Sequence, residues 1–142
     1  MAGIRVNTGA KKIEVNDNGD FITLNFGDHE FPSKFFAMLD KVQEMAKEAK
    51  PKEDAIRETY EAGSLELHRA ILALDCELHR AIAAEVDGLL GPDTCRKVFG
   101  DIVPGVELFD DFFTQLMPYF EEAGRERAQR MSKYSADRTG NV

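Results

Sequence analysis

Leu65-Glu66-Leu67-His68-Arg69-Ala70-Ile71-Leu72-Ala73-Leu74-Asp75-Cys76-Glu77-Leu78-His79-Arg80-Ala81-Ile82-Ala83-Ala84-Glu85-Val86-Asp87-Gly88-Leu89-Leu90 contains the hexapeptide Glu-Leu-His-Arg-Ala-Ile twice, at Glu66–Ile71 and Glu77–Ile82, eleven residues apart. At ~100° per residue, an offset of eleven brings a helix back to within roughly 20° of its starting direction, so the two copies share one face. The pattern predicts a long central helix over about 52–90, ending at Gly88 or at Gly91-Pro92. Two apolar stripes run along it. Ile56, Tyr60, Leu67, Ile71, Leu74, Leu78, Ile82 and Leu89 fall on the first. Leu65, Leu72, Cys76, Ala83, Val86 and Leu90 fall on a second, roughly opposite. A helix apolar on two sides needs cover on two sides. Neighbouring helices of the chain can cover one, and the second requires a further intrachain layer or another subunit. Gly63 lies within the pattern and weakens the case for an unbroken helix.

Upstream, Lys12-Ile13-Glu14-Val15-Asn16-Asp17-Asn18-Gly19-Asp20-Phe21-Ile22-Thr23-Leu24-Asn25-Phe26 is a pair of alternating runs joined through Asn18-Gly19. Asn-Gly tolerates the positive φ of a type I′ turn, which predicts a hairpin over about 11–26 with Val15 facing Ile22 and Ile13 facing Leu24. A lone hairpin is marginal in water, so a helix beneath it or a third strand is required, with Ile4–Val6 and His29–Phe31 as candidates. A free edge could accept a strand from a partner, although charged residues commonly blunt such edges.

Phe31-Pro32-Ser33 marks the change to helix. Phe35, Leu39, Val42, Ala46 and Ala49 then recur at helical spacing, giving a first helix over about 33–50. Pro51 ends or kinks it, because the residue before proline avoids helical backbone. Past the long helix, Gly91-Pro92-Asp93-Thr94 opens a short helix over about 92–99, and a last helix spans about 105–132 with a kink or restart near Pro118. Residues 135–142 read as a flexible polar tail. The expected fold is therefore α+β, mainly α: an N-terminal β-hairpin, possibly three-stranded, followed by a bundle of about four helices. With 142 residues, 43% of them hydrophobic, the chain suits one domain, over 1–134.

A formal charge of −8 argues against a nucleic-acid surface, which needs clustered Lys and Arg. No stretch approaches the ~20 apolar residues of a membrane span, and Met1–Asn7 lacks the apolar region of an export signal. The two cysteines have no metal-binding or disulfide spacing. Together these features predict a soluble cytoplasmic protein.

Asp75 and His79 lie one helical turn apart with His68 on the same side, the best available donor set for a metal. The Glu-x-x-His pattern of di-metal bundles is missing, since Leu65 and Cys76 precede the histidines by three. The simpler reading makes Asp75 an i,i+4 partner of His79. Cys76, among Leu72, Ala83 and Leu90, reads as an inert buried thiol, whereas Cys95 beside Arg96-Lys97 near a helix start reads as a thiol of lowered pKa. No Gly-rich phosphate loop, G-x-S-x-G or H-E-x-x-H occurs. These observations predict a binding protein, with no enzymatic activity and neither metal nor cofactor. Phe109, Phe112, Leu116 and Phe120 have core spacing. Phe113 and Tyr119 lie off that stripe and join Leu65, Leu72, Cys76, Val86 and Leu90 as candidate protein-binding residues.

Two blocks carry a family resemblance. Val15–Asp28 leads into Phe31-Pro32-Ser33-Lys34-Phe35-Phe36, and Gly91–Asp101 is followed by Val103–Phe109. With Lys133-Tyr134-Ser135, they resemble the small tail-assembly chaperones of long-tailed phages and prophages of Gram-positive bacteria. The resemblance covers most of the chain and the repeat-bearing helix least. It implies a protein that binds the long, aggregation-prone tape-measure protein, keeps it soluble and helps recruit tail-tube subunits in the host cytoplasm. It also implies a longer form made by frameshifting near the C-terminus. The bottom-up reading adds a homo-oligomer. A helical adaptor or regulator whose second stripe is only a subunit seam is the alternative from a different class.

Overall fold

A computed structural model describes the backbone of residues 2–140 and the side chains of residues 2–133. It is α+β and mainly α, with strands β1 (Lys11–Glu14) and β2 (Phe21–Leu24) followed by helices α1 (Phe31–Thr59), α2 (Leu65–Leu90), α3 (Thr94–Phe99) and α4 (Val106–Gly140). Among the described residues the sheet has two strands, so the third-strand candidates do not pair. Ile4 and Val6 are exposed, and Phe31 already belongs to α1.

The hairpin forms where alternation places it, but in another register: Ile13 faces Ile22 and Lys11 faces Leu24. The loop is four residues long rather than two, closed by the Val15 amide donating to the Asp20 carbonyl at 3.0 Å. Asn16 favours this longer loop, because its Oδ1 accepts from the amides of Asn18 at 2.8 Å and Asp20 at 3.2 Å. Gly19 supplies the positive φ of 85°. A shift of two residues preserves the facing of every side chain, so Ile22 and Leu24 still enter the core.

The helix boundaries correct two expectations. α1 does not stop at Pro51 but continues to Thr59, and the break falls instead at 60–64. Pro51 removes the donor that the Lys47 carbonyl would use, yet both residues are exposed and water can take that carbonyl. The pairs Lys50–Asp54 at 3.0 Å and Glu53–Arg57 at 2.9 Å then bridge successive turns. Tyr60 is extended, Gly63 has φ 77°, and the Ser64 side chain accepts from the Leu67 amide to start α2. What looked like one helix over 52–90 is thus the end of α1, a turn and α2. α4 likewise passes Pro118 and continues beyond 132 to Gly140, so the backbone of 135–140 is helical where a tail was expected. Residues 141–142 of that tail lie outside the described residues.

α1 and α2 form an antiparallel pair, tied by Lys41 Nζ to Glu85 Oε1 at 2.8 Å. The core gathers at one end of this pair. Ile22 and Leu24 of β2, Phe31, Phe35 and Met38 of α1, Ile82, Val86 and Leu90 of α2, and Phe109, Phe112 and Leu116 of α4 form one cluster with Cys95. Phe120 stacks on Phe31 and meets Phe26 edge-on, so α4 closes the layer beneath the hairpin. The cluster reaches Met45 and Leu78 and no further along α1 and α2. Beyond those residues the two helices continue as a two-helix arm.

Candidate protein-binding surface

The eleven-residue repeat places Leu65, Leu72 and Cys76 on one side of α2, and folding leaves that side open. Leu65 and Leu72 are each 65% exposed, and Cys76 is exposed. Val86 and Leu90 lie on the continuation of the same stripe but are 0% and 8% exposed, packed in the core with Phe35, Leu24 and Cys95. The difference is position along the helix. The C-terminal half of α2 is wrapped by the hairpin, α3 and α4, whereas the N-terminal half lies in the arm, where α1 covers the first stripe alone. Cys76 is therefore a surface thiol, not the buried one expected.

Phe113 and Tyr119 are half-buried and do not join that surface. Phe113 packs edge-on to Phe35 at 5.9 Å between ring centroids and lines an apolar groove of about 350 Å³ with Leu39, Val42, Val106, Phe109 and Met117. Tyr119 lines a second, larger groove of about 940 Å³, between β1 and α4, with Ile13, Val15, Phe99 and Phe112. The seven candidates thus divide among an exposed stripe, the core and two grooves. Sequence reasoning passed over Ile102 and Val106, which are exposed at the start of α4. They sit in and after a turn, where no helical period singles them out.

The titratable residues are placed as follows. His79 is buried, with Nδ1 2.8 Å from the Asp75 carbonyl oxygen and 3.4 Å from Asp75 Oδ1, while His68 is exposed. Among the described residues, no group of three His, Cys, Asp or Glu side chains is placed to hold a metal ion. Cys95 departs from expectation, since burial first and the Asp87 carboxylate second push its thiol up to about 12. The nearby Arg96-Lys97 does not offset them. Lys11 is held above its ordinary pKa by hydrogen bonds to Glu126 and Glu122, at 3.0 and 3.2 Å, which tether the hairpin to α4. No helix among the described residues is long and apolar enough to cross a membrane.

An open apolar stripe on a two-helix arm can bind an apolar segment of another protein. Neither the curated proteins nor the solved structures contain a match to this chain. Residues 18–141, which run from the hairpin turn through α4, match the family described as "Family of unknown function (DUF6673)". The chain belongs to that family.

Proposed function

We propose that the protein is a tail-assembly chaperone of a phage or prophage. In this reading it binds apolar segments of a tape-measure protein, keeps them soluble and helps bring tail-tube subunits to them, acting as a homo-oligomer in the host cytoplasm. The observation that carries the reading is the uncovered stripe of Leu65, Leu72 and Cys76 on the arm. The resemblance of the hairpin and the Gly91–Phe109 segment to such chaperones supplies the client. Covering two leucines that are 65% exposed contributes on the order of 1–2 kcal/mol each, enough for reversible holding when several copies line one client. The net charge of −8 keeps the loaded complex in solution.

Co-expression with a tape-measure protein tests this. The native chain is expected to co-purify with it and to raise its soluble fraction. A Leu65→Gln/Leu72→Gln variant, altered only at exposed positions, is expected to keep its stability within about 1 kcal/mol while losing the client. A native chain that neither co-purifies nor solubilises the tape measure defeats the proposal. So does a double variant that binds as well as the native chain.

A further inference from the structure

Among the described residues β1 has one neighbour, β2. The Val15 amide donates to the Asp20 carbonyl, so these two residues form a hydrogen-bonding pair. Such pairs alternate along an antiparallel ladder, which makes Ile13–Ile22 and Lys11–Leu24 hydrogen-bonding pairs as well. The backbone N–H and C=O groups of Lys12 and Glu14 therefore point away from β2. Their side chains are exposed on the outer face, while Ile13 and Val15 lie half-buried on the face toward α4. The groove of about 940 Å³ runs beside this edge, bounded by Ile13, Glu14 and Val15 on one side and by Phe112, Tyr119 and Glu122 on the other. The edge is thus open in both hydrogen bonding and space. Of the usual edge protections it has short length and charge, with Lys11 turned inward to Glu122 and Glu126, but its four-residue register is continuous, without a bulge, and the strand contains no proline.

The charges on its outer face are one positive and one negative residue two positions apart, Lys12 and Glu14. We propose that β1 pairs antiparallel with β1 of a second copy of this chain, about a two-fold axis at Ile13, giving a four-stranded sheet in the order β2, β1, β1, β2. Within β1, Lys12 and Glu14 are the residues whose backbone groups point to this edge, so they are the ones that can form hydrogen-bonding pairs across such an axis. A register centred on Lys12 sets lysine against lysine, and one centred on Glu14 sets glutamate against glutamate. The register centred on Ile13 sets Lys12 against Glu14 of the second copy twice over, with the two Ile13 side chains opposed in the close, non-hydrogen-bonded position. Lys12 is already held on the outer face by the Phe21 ring, 4.6 Å from Nζ to the centroid. The edge thus encodes its own complement, which is what an isologous contact requires. An unrelated client strand would have no reason to match this pair. The inference does not depend on the chaperone reading, because no tape-measure protein enters it.

Sedimentation of the full chain over a concentration series tests the pairing, with twice 15.9 kDa expected at the upper end. Glu14→Lys places like charges together at both sites and is expected to weaken the dimer by about ten-fold or more, as is Lys12→Glu. The Lys12→Glu/Glu14→Lys double variant exchanges the partners and is expected to restore it. In a Cys76→Ser background, Ile13→Cys is expected to form a disulfide between copies under mild oxidation, since the close pair brings Cα atoms to about 4.5 Å. Amide exchange at Lys12 and Glu14 is expected to slow as concentration rises. A chain that stays at 15.9 kDa throughout overturns the proposal. A dimer that is indifferent to both charge reversals and is not cross-linked at Ile13 overturns it equally. A native chain that dimerises but binds no tape-measure protein counts against the chaperone reading alone.

Discussion

Asp87 acts on both the backbone and the thiol of Cys95. Its Oδ1 accepts from the Cys95 amide at 2.9 Å, serving the first turn of α3, whose own N-cap residue Asp93 makes no side-chain bond. The same carboxylate, added to burial, disfavours the thiolate. Thiolate is the reactive form, so the two cysteines should separate cleanly. At about pH 8, one thiol per native chain, Cys76, is expected to react with a thiol reagent, and Cys95 is expected to follow only on denaturation. Equal native reactivity of the two would contradict this placement. The sequence pointed the other way for both residues, and for physical reasons. Arg96 and Lys97 are adjacent in the chain and visible, whereas Asp87 reaches Cys95 only when α2 and α3 fold together. The neighbours of Cys76 along the stripe are apolar, but stripe membership does not say whether a second layer arrives to cover it.

Elements were more legible than their ends. Period-two alternation gave the hairpin and its buried face, and the eleven-residue repeat gave α2. Loop length could not be read from Asn18-Gly19 alone, because Asn16 competes for the same amides from two residues earlier. Pro51 and Gly63 offered rival breaks, and the penalty at each depends on exposure and capping. Ser64 caps the new start after Gly63, while two i,i+4 ion pairs support the helix around Pro51, where the Lys47 residue left without its donor is exposed to solvent. It follows that Pro51 is tolerated at a cost. Pro51→Ala returns a donor to the Lys47 carbonyl and removes the clash of the ring, so it is expected to stabilise the protein by about 1–3 kcal/mol in urea denaturation. A neutral or destabilising result would show that the proline ring contributes packing or rigidity that offsets the lost hydrogen bond.

At the scale of the molecule, one end is a layered core and the other is a pair of helices. The two-stripe pattern foretold that α2 needs cover on two sides, and Val86 and Leu90 obtain it within the chain. Leu65 and Leu72 do not, and nothing in the periodicity distinguishes the halves. The difference arises because the hairpin, α3 and α4 all fold back on the same end of the α1–α2 pair. Stability should follow this division, since local opening is easiest where buried apolar contacts are few. Past Met45 and Leu78, α1 and α2 support each other, joined by buried Leu67 and half-buried Ala49, Ile71 and Leu74. Native-state hydrogen exchange is therefore expected to show amides of residues 46–77 exchanging through openings of lower free energy than those of 31–45, 78–90 and 106–120. A bound client covering Leu65 and Leu72 should slow exchange in the arm selectively, because it adds contacts there and leaves the core unchanged. Uniform protection along α1 and α2 in the free chain would mean that the arm is held by the core after all. In that case the open stripe would belong to a rigid surface rather than to a segment able to adjust to what it binds.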